Sequence, residues 1–228
     1  MQFRIVGTTM QSLFIELAEN QESIYSESGC LLYMTPNVQL QTSGSGGIGG
    51  MFKRWITGNS VFLNHFQLTQ GDRGEVAFTT RFPGHILPIT LQGRDFYVQR
   101  HSFLCAQESV QLEPQMALNG VGLFGGNGLV FNKLSGYGQA FISVDGETVE
   151  KELQYGESLL IHPGHLAAYD EGIRVEVQRQ IGFKNMFLSG DGIFLLRVTG
   201  PGKILLHSLS IHNLAGTIAE YMPSKGNS

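Results

Sequence analysis

The feature that most limits what this chain can fold into is an internal repeat. Ile24, Tyr25, Leu31, Leu32, Val38 and Leu40 are each matched 72 residues later by an apolar residue: Phe96, Tyr97, Phe103, Leu104, Val110 and Leu112. A further 63 residues on stand Leu159, Leu160, Leu166, Ala167, Ile173 and Val175, so six positions coincide three times without a gap. The same two steps carry Met51-Phe52 to Leu123-Phe124 and then to Met186-Phe187. A third element recurs in steps of 64, as Gly74-Glu75-Val76-Ala77-Phe78, Gly138-Gln139-Ala140-Phe141-Ile142 and Gly202-Lys203-Ile204-Leu205-Leu206. Self-similarity at such a period means three copies of one supersecondary unit. Their limits fall near residues 10–82, 83–146 and 147–210.

Within a unit the apolar segments are short, rich in Val, Ile, Phe, Leu and Tyr, and bounded by turn sequences such as Thr35-Pro36-Asn37, Asp145-Gly146 and His162-Pro163-Gly164. Such segments read as strands. Ile173, Val175 and Val177 alternate with Arg174, Glu176 and Gln178, which gives one apolar and one wet face. The predicted fold class is all-β: three sandwich-like units sharing one core about a pseudo-threefold axis, in a single body over residues 1–210. A lone unit of this size would leave its sheet edges open. Residues 211–228 depart from the repeat. Ile211, Leu214, Ile218 and Tyr221 or Met222 make a helical stripe expected to pack on the body, with a disordered end from Pro223 to Ser228.

Composition narrows the function classes. Of 228 residues 42% are apolar and 15% charged, with 30 glycines, a balance too apolar for disorder and too turn-rich for a coiled coil. Fifteen Lys and Arg against nineteen Asp and Glu give a net charge of −4, which argues against a broad grip on phosphate backbones and against nucleic acid as a partner. Cys30 and Cys105 each sit in a short apolar run, where a thiol behaves as a small buried hydrophobe, so free thiols in a reducing compartment are expected. No stretch approaches the roughly 18 to 20 apolar residues of a membrane span, and Met1 to Gly7 lacks the apolar run of a secretory signal. The expected location is the cytoplasm.

Glu22-Ser23-Ile24-Tyr25, Gly156-Glu157-Ser158-Leu159-Leu160, Ser189-Gly190-Asp191-Gly192 and Thr199-Gly200-Pro201-Gly202 carry a family resemblance. Over about residues 3 to 210 the chain resembles the altered-inheritance-of-mitochondria protein 24 family, and bacterial members of it in particular. The resemblance implies a fold similar to three fused units of the trp RNA-binding attenuation protein, itself related to the double-stranded β-helix. The family's fungal member is a mitochondrial inner-membrane protein tied to respiratory-complex and cristae organisation. No catalytic residues come with the resemblance.

Residue patterns that could carry chemistry are few. Gly44-Ser45-Gly46-Gly47-Ile48-Gly49 and Gly120-Val121-Gly122-Leu123-Phe124-Gly125 match Gly-x-Gly-x-x-Gly literally, yet neither has the parallel α/β setting that a dinucleotide needs. They read as turns. Ile48, Met51, Phe52, Trp55 and Ile56 fall at helical spacing and include the sole tryptophan, which makes this stripe the candidate interaction surface or, more plainly, a cap on the chain's own core. His162-Pro163-Gly164-His165 resembles the second metal motif of cupins, and His162 and His165 are the candidate metal ligands; the first cupin motif is missing. No nucleophile elbow and no convincing pair of carboxylates appears, Glu22, Asp145, Glu157, Glu171 and Asp191 standing beside Gly or Ser in turns. The expected function is therefore a non-enzymatic assembly or scaffold protein without a cofactor. It is expected to form a homo-oligomer, a trimer being favoured, and to present its repeats to protein partners or a membrane surface. The alternative is a small-molecule or metal-binding protein, or an enzyme, with a site near His162 and His165.

Overall fold

The computed structural model of the chain describes residues 1–18, 23–42, 63–115, 129–179 and 194–222. Among these residues it is all-β apart from one α-helix and two single-turn 3-10 segments. After β1 (Gln2–Val6), the strands fall into three groups. The first holds β2 (Ser12–Ala18), β3 (Ile24–Glu27), β4 (Leu31–Met34), β5 (Val38–Thr42), β6 (Leu63–Leu68) and β7 (Arg73–Thr79). The second holds β8 (Gly84–Gln92), β9 (Phe96–Gln99), β10 (Phe103–Gln107), β11 (Val110–Pro114) and the long β12 (Phe131–Asp145). The third holds β13 (Thr148–Leu153), β14 (Ser158–Ile161), β15 (Leu166–Asp170), β16 (Arg174–Arg179), β17 (Phe194–Thr199) and β18 (Gly202–His207).

Each group makes the same two antiparallel triplets. In the first, β7 lies between β2 and β4, and β6 between β3 and β5. In the third, β18 lies between β13 and β15, and β17 between β14 and β16. The second group does both jobs with one strand: the start of β12 pairs with β9 and β11, and its end with β8 and β10. Even the register recurs, Leu13 opposite Phe78, Leu87 opposite Ile142, and Val149 opposite Leu206. Period-two patterning explains the strands: on β2, buried Leu13, Ile15 and Leu17 alternate with half-buried Ser12, Phe14, Glu16 and Ala18. β12 changes sheets at Gly136 and Gly138, whose φ of +99° and +145° side chains rarely adopt.

Neighbouring groups are joined edge to edge. β10 pairs with β3, Cys105 opposite Ser26 and Ala106 opposite Tyr25. β15 pairs with β9 at the corresponding residues, Ala168 opposite Val98 and Tyr169 opposite Tyr97. The two tyrosines of that second junction stack with ring centroids 5.0 Å apart, and at the first the Tyr25 hydroxyl donates to the Val110 carbonyl at 2.9 Å. Three apolar clusters follow this plan, one centred on Val98, Leu134 and Ala140, one on Ile15, Phe66 and Phe78, and one on Leu166, Leu196 and Ile204. The junction that would close a threefold ring, β4 against β14, is not among the described strand pairings. Both cysteines are buried free thiols.

The first junction also buries a carboxylate. Glu27 meets Arg81 at 3.3 Å, yet burial outweighs the guanidinium and pushes its pKa up to about 7. A folded pKa above the unfolded value means that ionised Glu27 opposes folding, increasingly so as pH rises from the ordinary carboxylate range through 7. Glu27→Gln is expected to raise stability by about 2 kcal/mol at pH 8 and to lose that advantage near pH 4.5, measured by denaturant titration at both pH values.

The tail forms α1 (Ile211–Tyr221), capped by Ser210, whose hydroxyl accepts the Asn213 backbone N–H at 3.5 Å. Of the apolar stripe that the sequence predicts to pack on the body, Ile211 and Leu214 are half-buried and the distal residues are exposed. Ile218 is 52% exposed and Tyr221 84%. The cap and the local 3.6-residue pattern suffice to make the helix, but they do not supply a surface to cover its last two turns.

Candidate functional site

The interaction stripe predicted at Ile48, Met51, Phe52, Trp55 and Ile56 lies outside the described residues, as do both glycine-rich motifs, Glu22 and Asp191. His162 and His165 flank the short turn Pro163–His165 after β14. Their rings meet edge to face with centroids 5.6 Å apart. His165 Nδ1 donates to the His207 carbonyl at 2.8 Å, and its backbone N–H donates to the His162 carbonyl at 3.0 Å. These bonds fix the turn. Among the described residues no three His, Cys, Asp or Glu side chains are placed to share a metal ion. The turn carboxylates behave as their setting suggests: Glu157 accepts the Gln154 backbone N–H at 3.0 Å and Glu171 that of Asp95 at 2.9 Å.

The most constrained histidine is one that the sequence presents as a lone residue. His207, at the end of β18 and 3% exposed, stands between two units. The Asp145 backbone N–H donates to its Nδ1 at 2.9 Å. A backbone N–H can only donate, so the ring proton sits on Nε2 and points toward Gln99 Oε1 at 3.0 Å and Ser102 Oγ at 3.2 Å. Burial first, and the nearby His165 second, lower its pKa to about 4. The Ser102, His207 and Asp145 grouping looks like a hydrolase triad but cannot work as one. General-base action needs a free lone pair on the nitrogen facing the serine, with the carboxylate on the far nitrogen. Here the serine meets the protonated nitrogen, the far nitrogen takes a backbone N–H, and Ser102 is buried. The network ties β18 to β12 and to the turn after β9.

The groove that could admit a ligand lies elsewhere, between the second and third groups. Its volume is about 700 Å³. Leu87, Ile89 and Leu91 of β8 and Leu205 of β18 supply its apolar lining, and Arg94, Asp95, Glu150, Asp170 and Lys203 its charged lining. Three of these charges are already engaged, Lys203 Nζ with Glu150 at 2.7 Å and Asp95 with Lys133 at 3.5 Å. The corresponding place between the first and second groups is filled by the chain itself. There β1 pairs with β2, Phe3 opposite Ile15 and Ile5 opposite Leu13, and the Phe3 ring stands edge-on to Phe141 at 4.9 Å. Repeat register makes Leu87 and Ile89 the counterparts of Leu13 and Ile15, and Leu205 that of Phe141. The groove is thus the site of a covering strand that the second group lacks among the described residues. Its chemistry suits a ligand with one apolar face and polar edges.

These features define an all-β protein of three tandem strand groups joined edge to edge. The chain belongs to the family described as mitochondrial biogenesis AIM24, whose model matches residues 3–209. It is 27% identical over 231 residues to an uncharacterized protein of Streptococcus pyogenes serotype M6, covering 97% of this chain and 92% of that one. A Streptococcus pyogenes protein known from an X-ray crystal structure superposes with a TM-score of 0.79 over 97% of this chain and 99% of its own, at 23% identity. That likeness concerns the fold. No helix among the described residues is long and apolar enough to cross a membrane.

Proposed function

We propose that this chain is a non-enzymatic scaffold that assembles with further copies of itself and offers repeated surfaces to protein partners. One observation carries the reading: apolar residues buried at both intrachain junctions have exposed counterparts at the chain's two outer edges. Leu32 and Tyr33 on β4 are 50% and 42% exposed, and Leu160 on β14 is 46% exposed. Unpaired apolar edges favour association, and a surface built of repeats gives each added copy the same contact. Native mass spectrometry of the untagged protein tests it. The expected result is an integral multiple of 25.0 kDa; a 25.0 kDa species alone, at tens of micromolar protein, would refute self-assembly.

A second reading, a small-molecule binding protein, is favoured by the groove beside β8 rather than by the histidine pair. The same spectrum separates the two. A stoichiometric organic adduct, lost on replacing Leu205 with Arg, would make the groove a ligand site.

A further inference from the structure

We propose that the groove beside β8 receives an extended segment of a partner protein as an added antiparallel strand, in the register by which β1 lies on β2. This rests on the reading that the chain offers surfaces to protein partners, and it names one of them.

The backbone of β8 is open along this groove. The Gly84 and Ile86 N–H groups point away from β12, the first to the Thr9 carbonyl and the second to Gln11 Oε1 at 2.7 Å, whereas the Gly93 N–H donates to the Gly136 carbonyl of β12. Register is unbroken from Gly84 to Gln92, so the backbone groups of Pro88, Thr90 and Gln92 also face outward. The groove touches every residue of β8 from Leu87 to Gln92. Contact with both parities of a strand marks a channel along its edge, because a pocket over one face meets alternate side chains. An incoming residue opposite Thr90 would both donate and accept, and one opposite Pro88 would only donate. Pro88 thereby blunts the edge against indiscriminate pairing.

Side chains define the occupant. Phe3 and Ile5 of β1 lie opposite Ile15 and Leu13, which are both 0% exposed beneath them. The counterparts Ile89 and Leu87 are only half-buried, and with Leu205 they can receive two apolar residues separated by one. On β13, the third counterpart, Lys151 stands where β8 has Ile89, so this apolar seat is not repeated there. Charge completes the description. Glu150 and Lys203 engage one another, Asp95 holds Lys133, and Asp170 accepts the Lys203 backbone N–H, while Arg94 has no partner among the described residues. A strand antiparallel to β8 begins at the Arg94 end, so the segment carries a carboxylate just ahead of its apolar pair. A lipid-like ligand could fill the apolar lining but would make no use of the Thr90 N–H and C=O.

NMR of the full chain tests this with a blocked synthetic peptide, Glu-Gln-Phe-Thr-Ile-Val-Gly. It is residues 1–7 with Met1→Glu, to meet Arg94, and Arg4→Thr, because Phe14 and Glu75, which hold Arg4, correspond to Pro88 and Gln139 on β8 and β12. Excess peptide is expected to slow exchange of the Thr90 amide about tenfold or more and to shift the Leu87, Ile89 and Leu205 methyl resonances. Thr90→Pro removes the outward donor without touching the ladder to β12, and should weaken the peptide about tenfold. Arg94→Glu, at an exposed position, should weaken it about threefold and reverse the preference toward a peptide headed by Lys. Octanoate is the contrasting probe. If octanoate shifts the methyl groups while the peptide leaves Thr90 exchange unchanged, the groove is a small-molecule site and the added strand is wrong. A Thr90 amide already slow in the free chain, or a chain on which neither probe acts, would also overturn it. Self-assembly is judged separately by native mass, so the two can fail independently.

Discussion

Gly136→Ala is expected to destabilise the protein by about 3 kcal/mol, among the largest effects open to a single methyl group here. Two costs add. At φ +99° any side chain strains the backbone by roughly 1–2 kcal/mol. The new Cβ would also lie 2.6 Å from the Ser109 carbonyl oxygen, a backbone atom in the turn between β10 and β11 that cannot swing aside. Relief requires moving β11 off β12, and with it Val110 and Leu112, both buried. Gly156→Ala isolates the first cost, because Gly156 has φ +80° but a methyl group added there would meet nothing within 4 Å. Guanidinium unfolding of the two variants should separate them by about 2 kcal/mol. Equal losses would show that the bend in β12 does not depend on the Ser109 contact.

The second large effect is the pH dependence that His207 imposes. Its pKa, about 4 in the folded protein, lies below the ordinary histidine value. Between those two values the unfolded chain binds a proton that the folded one refuses, so acid favours unfolding. Across that window His207 alone removes about 3 kcal/mol of stability. Glu27 and Asp145, with pKa values raised to about 7 and about 6 by burial, act in the opposite sense. The total profile therefore mixes both signs, and a difference measurement is needed. His207→Gln should be the less stable protein at pH 7, having lost the acceptor for the Asp145 N–H. The gap to wild type should close by about 3 kcal/mol as pH falls to 4. A gap that stays constant would mean that His207 titrates normally. Proton NMR offers an independent check, in which the His207 ring should remain neutral at pH 5.

How much of the molecule is readable in its sequence depends on the distance over which each feature is determined. Strand identity is local, and the alternation in Leu13, Ile15 and Leu17 or Ile173, Val175 and Val177 announces it. The repeat announces that β3, β9 and β14 are equivalents. A shared spacing of residues says which positions are alike but not which strands touch, so the pairing of β10 with β3 and of β15 with β9 emerges only in three dimensions. Gly138 opens one of the recurring segments in the sequence, but nothing local shows that it and Gly136 lie inside a continuous 15-residue strand and bend it from one sheet into another. His207 looks isolated in sequence because its partners Asp145, Ser102 and Gln99 are 62, 105 and 108 residues away. The histidines singled out by motif, His162 and His165, share a turn because they are close in sequence, whereas the bond from His165 to the His207 carbonyl, 42 residues on, is set by the fold. The groove beside β8 has no motif at all. It becomes visible when β1 is seen lying in the equivalent place one unit earlier.

The covering strand β1 gives the three units a fixed order despite their common plan. A rearranged gene that placed the second unit first, or fused the units as identical copies, would leave an apolar cleft with no tenant or cover a charged one with Phe3 and Ile5. Three groups of one plan would otherwise look alike from outside; the strand laid along β2 breaks that equivalence and makes their order legible on the surface.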